Sequence, residues 1–135
     1  MGFERFEVGM KGQTSKTITE TDVILFSGIS TDINPVHINE EAAKEGMFGR
    51  RIAHGILVSG LISAVLANKV PGPGTIYMGQ DLKFLAQVYI GDTITAECEI
   101  IELIPEKKRI RLKTTCVNQD GKVVIDGSAL VMNRG

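Results

Sequence analysis

In the second half of the chain, apolar and polar residues alternate one by one. Thr93 to Leu103 puts Ile94, Ala96, Cys98 and Ile100 on one side and Thr95, Glu97 and Glu99 on the other. Arg109 to Val117 repeats the pattern, with Ile110, Leu112, Thr114 and Cys116 against Arg111, Lys113 and Thr115. A period of two predicts strands with one buried face. Asn118-Gln119-Asp120-Gly121 is a hairpin turn with Asp-Gly at its tip, and Lys122 to Met132 returns as a third long strand. Thr75 to Phe84 is an earlier strand, followed by a turn at Ile90-Gly91-Asp92, and Thr14 to Ile18 is a short first one. About five strands make a common sheet size.

The first half follows a helical period. Thr19, with Asp22 three residues on, predicts a capped helix from Glu20 to Gly28 that turns Val23, Phe26 and Ile29 inward. Asn39 caps a short helix, Glu40 to Glu45, with acids in its first turn and Gly46 at its end. Ile56 to Ala67 is apolar nearly all round, as a helix buried on most sides is. Gly60 within it costs about 1 kcal/mol relative to Ala, so it is expected to permit close packing on the sheet. Val70-Pro71-Gly72-Pro73-Gly74 stops that helix. Helices first and strands later predict an α+β domain: one antiparallel sheet with one buried helix lying across it.

Composition narrows the function classes. The 135 residues suit one domain, 1–135, with a sizeable core. Fifteen Lys and Arg against sixteen Asp and Glu, net charge −1, argue against a general nucleic-acid binder, which would present a basic face. Cys98 and Cys116 fall on strands and read as buried free thiols of a reducing compartment. Two cysteines and two histidines in no ligand-like cluster predict no metal site. The first residues carry no apolar leader, and Gly55 to Val70 holds Ser, Asn and Lys and falls short of a membrane span. The expected location is cytoplasmic, with no membrane partner.

The candidate chemistry lies in Ser30-Thr31-Asp32-Ile33-Asn34-Pro35-Val36-His37. An aspartate and a histidine five apart do not align on a helix, but Pro35 turns the chain between them. A turned loop can aim a carboxylate and an imidazole at one small volume, where the two can grip a water as base and acid. The ordinary alternative is an Asx turn at Asp32 and a surface histidine.

The segment from Phe26 to His37 resembles the signature of the MaoC-like R-specific enoyl-CoA hydratases. That signature has an aromatic, a small-residue run, Asp-x-Asn-Pro-aliphatic-His, and then an alanine, here Ala42. Thr31 departs from it, standing where glycine is usual before the aspartate. The resemblance extends through Phe48 to Gly55, Pro71 to Tyr77, Leu82 to Phe84 and Val88 to Asp92. It implies a hot dog fold, a sheet wrapped around a central helix. It also implies interconversion of a trans-2-enoyl-CoA and an (R)-3-hydroxyacyl-CoA, with Asp32 and His37 as catalytic residues. Coenzyme A enters as part of the substrate, no separate cofactor is needed, and a homodimer or higher homo-oligomer is expected.

Hydration needs a base for water, a proton donor to the α-carbon and a partner for charge on the thioester oxygen. Asp32 is assigned as base and His37 as donor. The unpartnered N–H groups at the start of the buried helix suit the oxygen, and Gly55 is either that donor or a small residue easing the turn into the helix. His54 reads as structural or capping. Ser63 either lines the substrate pocket or bonds back to its own helix. By the resemblance the acyl chain runs between helix and sheet. Leu66 and Leu130 are placed as its walls, which predicts short acyl groups of about four to six carbons. The competing readings are a 3-hydroxyacyl dehydratase acting on acyl carrier protein, a hot dog thioesterase and a non-catalytic acyl-CoA binder.

Overall fold

Five strands pair in the order β1-β3-β4-β5-β2, all antiparallel, in a computed structural model that describes residues 2–135. The strands are β1 (Lys11–Thr17), β2 (Ile76–Phe84), β3 (Thr93–Ile104), β4 (Arg109–Val117) and β5 (Val123–Met132). Alternation sets their faces: Ile94, Ala96, Cys98 and Ile100 of β3 and Ile110, Leu112, Thr114 and Cys116 of β4 are all fully buried. Burial pushes the Cys98 thiol up to about 12, with Cys116 and Glu97 nearby adding to it, and burial alone takes Cys116 to about 12. Both are free, protonated thiols that serve as small apolar side chains.

Four helices precede the main strands: α1 (Glu20–Ser30), α2 (Pro35–Ile38), α3 (Glu40–Glu45) and α4 (Gly55–Asn68). Thr19 and Asp22 form the expected capping box, and Asn39 caps α3 through Ala42 N–H. The Lys16 ammonium, 2.6 Å away, is the main cause holding the Asp22 carboxyl below its usual range. Helix α4 lies across β1, β3 and β4 and buries Val58, Ile62, Val65 and Leu66 against them. Each such side chain contributes roughly 1.5–3 kcal/mol by leaving water.

Two expectations about faces are corrected. Ile29 points outward, 82% exposed, while Val23 and Ser27 are buried. At about 100° per residue, Ile29 stands some 240° round from Val23, whereas Ser27 is close to the same stripe. Helix α4 is covered on one side only in this chain, because Ile56, Gly60 and Ser63 form an exposed stripe. A Cβ at Gly60 would meet nothing within 4 Å, so this glycine does not serve contact with the sheet. Among the described residues no helix is long and apolar enough to cross a membrane.

Candidate active site

The carboxylate is placed by a chain of short-range bonds at the end of α1. Ser30 Oγ donates to the Phe26 carbonyl at 2.7 Å and accepts the Asp32 N–H at 3.1 Å. Asp32 Oδ1 accepts the Asn34 N–H at 3.3 Å, and Asn34 Oδ1 accepts the Val36 N–H at 3.1 Å, capping α2. Pro35 is the first residue of α2, a position that needs no N–H. Thr31, which caps the end of α1, is left-handed at φ 65° and ψ 9°. A β-branched residue there costs about 1–2 kcal/mol. Thr31→Gly relieves that strain but adds freedom to the unfolded chain worth about 0.5–1 kcal/mol. Thermal melting is therefore expected to rise by about 2–4 °C with activity retained.

His37 sits in the single turn of α2 and is 8% exposed. Its Nδ1 donates to the Ile52 carbonyl at 2.8 Å, since a carbonyl can only accept. That bond leaves Nε2 free for chemistry. Arg51 secures the same residue from behind: its Nε donates to the His37 carbonyl at 2.8 Å, and its Nη1 pairs with Glu20 at 2.5 Å. The dipeptide Arg51-Ile52 thus holds both the main chain and the ring of His37.

Against that ring lies His54, stacked at 3.8 Å between centroids and 24° between planes. One carboxylate oxygen of Asp32 and one ring nitrogen each of His37 and His54 lie within 4.8 Å of one another. A water hydrogen-bonded to two groups at about 2.8 Å and a tetrahedral angle spans roughly 4.6 Å, so Asp32 and His37, within 4.8 Å, are close enough for one water to reach both. A metal is a poorer fit. Two imidazoles share an ion when their in-plane lone pairs converge at about 2.0–2.1 Å, and nearly parallel stacked rings direct theirs into separate planes.

Gly55, the first residue of α4, has no acceptor for its N–H among the described residues. A Cβ there would fall 2.5 Å from two carbons of the Phe84 ring, so a larger residue fits only if that ring moves. His37, Gly55, Phe84 and Val88 line one cavity of about 200 Å³, which ends on the buried Val58 and Ile125. Asp32 is exposed and stands outside that lining, within reach of His37.

The remaining candidates are not brought together with this pair. Ser63 lines a neighbouring groove between α4 and β2, with Ser59, Tyr77 and Gln80, which meets the first cavity at Ile56. It makes no hydrogen bond back to its helix among the described residues, unlike Ser59, which bonds the Ile56 carbonyl. Leu66 is fully buried in the core and lines neither space. Leu130 pairs with Arg111 and shares its face, opposite to Ala129 and Val131, which share theirs with Leu112 and Ile110. Leu66 and Leu130 therefore do not face each other as acyl walls. A one-residue shift on a strand exchanges faces, and the helix-facing position is Val131. His54 and Arg51 are the residues whose part the sequence understated: a lone histidine and one of an Arg-Arg pair carry no pattern that reveals a stack or a main-chain bond.

A five-stranded antiparallel sheet over one long helix, with an Asp/His pair and the helix's first amides beside one cavity, defines a hot dog domain built for acid–base chemistry. The chain belongs to the family described as MaoC like domain, whose model matches residues 5–123. It is 52% identical to an (R)-specific enoyl-CoA hydratase of Rhodospirillum rubrum, over 96% of this chain and 90% of that protein. It is 49% identical to a 3-hydroxybutyryl-CoA dehydratase of Methylorubrum extorquens, over 96% of this chain and 82% of that one. The fold superposes on unliganded R-hydratase PhaJ1 of Pseudomonas aeruginosa with a TM-score of 0.93 and 44% identity, covering 98% of this chain and 85% of the other.

Proposed function

We propose that this protein is an R-specific enoyl-CoA hydratase that adds water reversibly to a short trans-2-enoyl-CoA. The observation that carries the reading is that His37 and the Gly55 amide face one cavity while the Asp32 carboxylate lies within 4.8 Å of the histidine pair. Asp32 takes a proton from the bridging water, whose oxygen bonds to the β-carbon. Electrons shift to the thioester oxygen, where the N–H of Gly55 stabilises the enolate. His37 enters this step doubly protonated: its Nδ1–H stays on the Ile52 carbonyl while Nε2 delivers its proton to the α-carbon, leaving a neutral ring, and the proton on Asp32 returns to Nε2 through solvent. No electron leaves the substrate, so no redox cofactor is needed, and coenzyme A is the handle of the substrate. The floor of Val58 and Ile125 favours short acyl groups, about four to six carbons, with modest discrimination per methylene.

The test is hydration of crotonyl-CoA beside crotonyl carrier protein, with chiral analysis of the product and a series of four- to ten-carbon enoyl-CoAs. Formation of (R)-3-hydroxybutyryl-CoA is expected. A folded protein that binds crotonyl-CoA without converting it would leave the non-catalytic binder standing, and preference for the carrier protein would transfer the reading to fatty-acid synthesis.

The proposed working form is a homodimer in the cytoplasm. Both sheet edges are unpaired here, but they differ. Strand β1 is Lys-Gly-Gln-Thr-Ser-Lys-Thr, a polar edge of the kind that discourages pairing. Strand β2 exposes Ile76, Tyr77, Met78 and Phe84 and bulges between Tyr77 and Gly79. The open Ile56-Gly60-Ser63 stripe of α4 adjoins it across the same groove. Met78→Lys is expected to shift the mass measured by light scattering from dimer toward monomer. An unchanged dimer would remove β2 from the interface.

A further inference from the structure

His54 lines neither the catalytic cavity nor the groove beside it, and it is 3% exposed. Yet it touches every part of the proposed machinery. Its Nε2 lies 3.0 Å from the main-chain carbonyl of Asp32 and 3.2 Å from Ser27 Oγ. The carbonyl has no proton, so Nε2–H is the donor. Its ring lies flat on His37, with Phe26 edge-on to it at 4.8 Å and 61°. Its own main chain leads directly into Gly55 as the residue before α4.

The other nitrogen shows that packing alone does not explain the residue. With the proton on Nε2, Nδ1 is a bare acceptor, and it is buried with no hydrogen-bond partner among the described residues. It does not cap the helix either, for α4 has no side-chain cap. A site that needed only an apolar plate between Phe26 and His37 would be filled by phenylalanine without stranding an acceptor. What a histidine adds is the bond to Asp32, and that bond ends on the main chain of one catalytic residue while the ring face rests on the other.

We propose that His54 is a positioning residue that fixes the separation of Asp32 and His37, holding the first through its carbonyl and the second through its ring. The proposal rests on the hydration reading. It adds a fixed point to the spacing of the pair, which the four-residue loop joining α1 to α2 would otherwise set alone. Among the described residues the other hydrogen bonds of the loop from Thr31 to Asn34 are local, so the carboxylate's distance from a ring in the next helix needs a longer-range brace.

The test places His54→Phe and His54→Gln in the native protein and in Asp32→Asn. His54→Phe keeps the plate and loses the donor. It is expected to lower kcat for crotonyl-CoA about 10²-fold, since displacement of a catalytic group by about 1 Å costs that much, with KM changed less than about threefold. Gln can reach Asp32 with its amide and is expected to recover roughly tenfold of that loss. In the Asp32→Asn background, His54→Phe should cost less than about threefold more, because the group it positions is already disabled. A packing role predicts instead that the two losses multiply, as independent ones do. Multiplying losses, or a His54→Phe kcat within about threefold of native, overturn the proposal. Should the Phe variant not fold, His54→Asn, polar but too short to reach Asp32, enters the same comparison. Near-native turnover in Asp32→Asn alone would overturn the hydration reading and this proposal together, whereas a crippled Asp32→Asn with multiplying losses overturns this proposal only.

Discussion

Asp32→Asn is expected to lower kcat for crotonyl-CoA hydration by about 10²–10⁴-fold, and His37→Gln by a similar factor, the range for a positioned acid or base. The double variant should lose little more than either single one, because two groups gripping one water act as a unit. Both replacements are close in size to the original. Asp32 is exposed, so its amide leaves no buried charge unpaired. Its Oδ1 also accepts the Asn34 N–H, a bond that the Asn carbonyl oxygen can keep. His37→Gln asks more of the fold, because the Nδ1 bond to Ile52 is buried. Circular dichroism and gel filtration must therefore show a native fold before the kinetics count. Near-native turnover in a folded variant of either kind would remove that residue from the mechanism.

Much of this was legible in the sequence because it is local. The capping box at Thr19, the Asn39 cap and the alternating faces of β3 and β4 follow from neighbours within a few residues, and all are in the structure. Arg109 to Val117 is β4 to the residue. A face that only a partner element defines is not legible locally. Ile29 is apolar and suggests an inward position, but the buried stripe of α1 passes through Val23 and Ser27. Leu130 is as apolar as its neighbours, and only the register of β5 against β4 shows that the odd-numbered face of β5 is the inner one.

At the site, the Asp/His spacing was visible as a turn. The left-handed Thr31 is signalled only by the resemblance, which has a glycine at that place; threonine itself gives no local sign that φ is positive. The long-range bonds that hold His37, from Ile52 and Arg51, join residues 15 and 14 positions apart, and the one that holds Asp32, from His54, spans 22. No periodic pattern reports such contacts.

Gly55→Ala is expected to separate activity from stability. As the backbone stands, the added methyl would lie 2.5 Å from Cδ1 and Cε1 of Phe84, too close for either to remain. Phe84 is at the end of β2 and 51% exposed, so its ring can swing toward solvent without unpacking the core. Alanine also favours a helical position over glycine by up to about 1 kcal/mol. The melting temperature should therefore move by only a few degrees. The methyl group, however, stands beside the free N–H of the same residue, in the space that His37 faces. A thioester oxygen held off that amide by about 1 Å is expected to cost about 10²-fold in kcat/KM. A companion variant distinguishes the two causes. In Gly55→Ala with Phe84→Ala the clash is gone but the methyl remains. Activity that stays low there places the donor at Gly55, while recovery to the level of Phe84→Ala alone would mean that the glycine serves only the close approach of the ring.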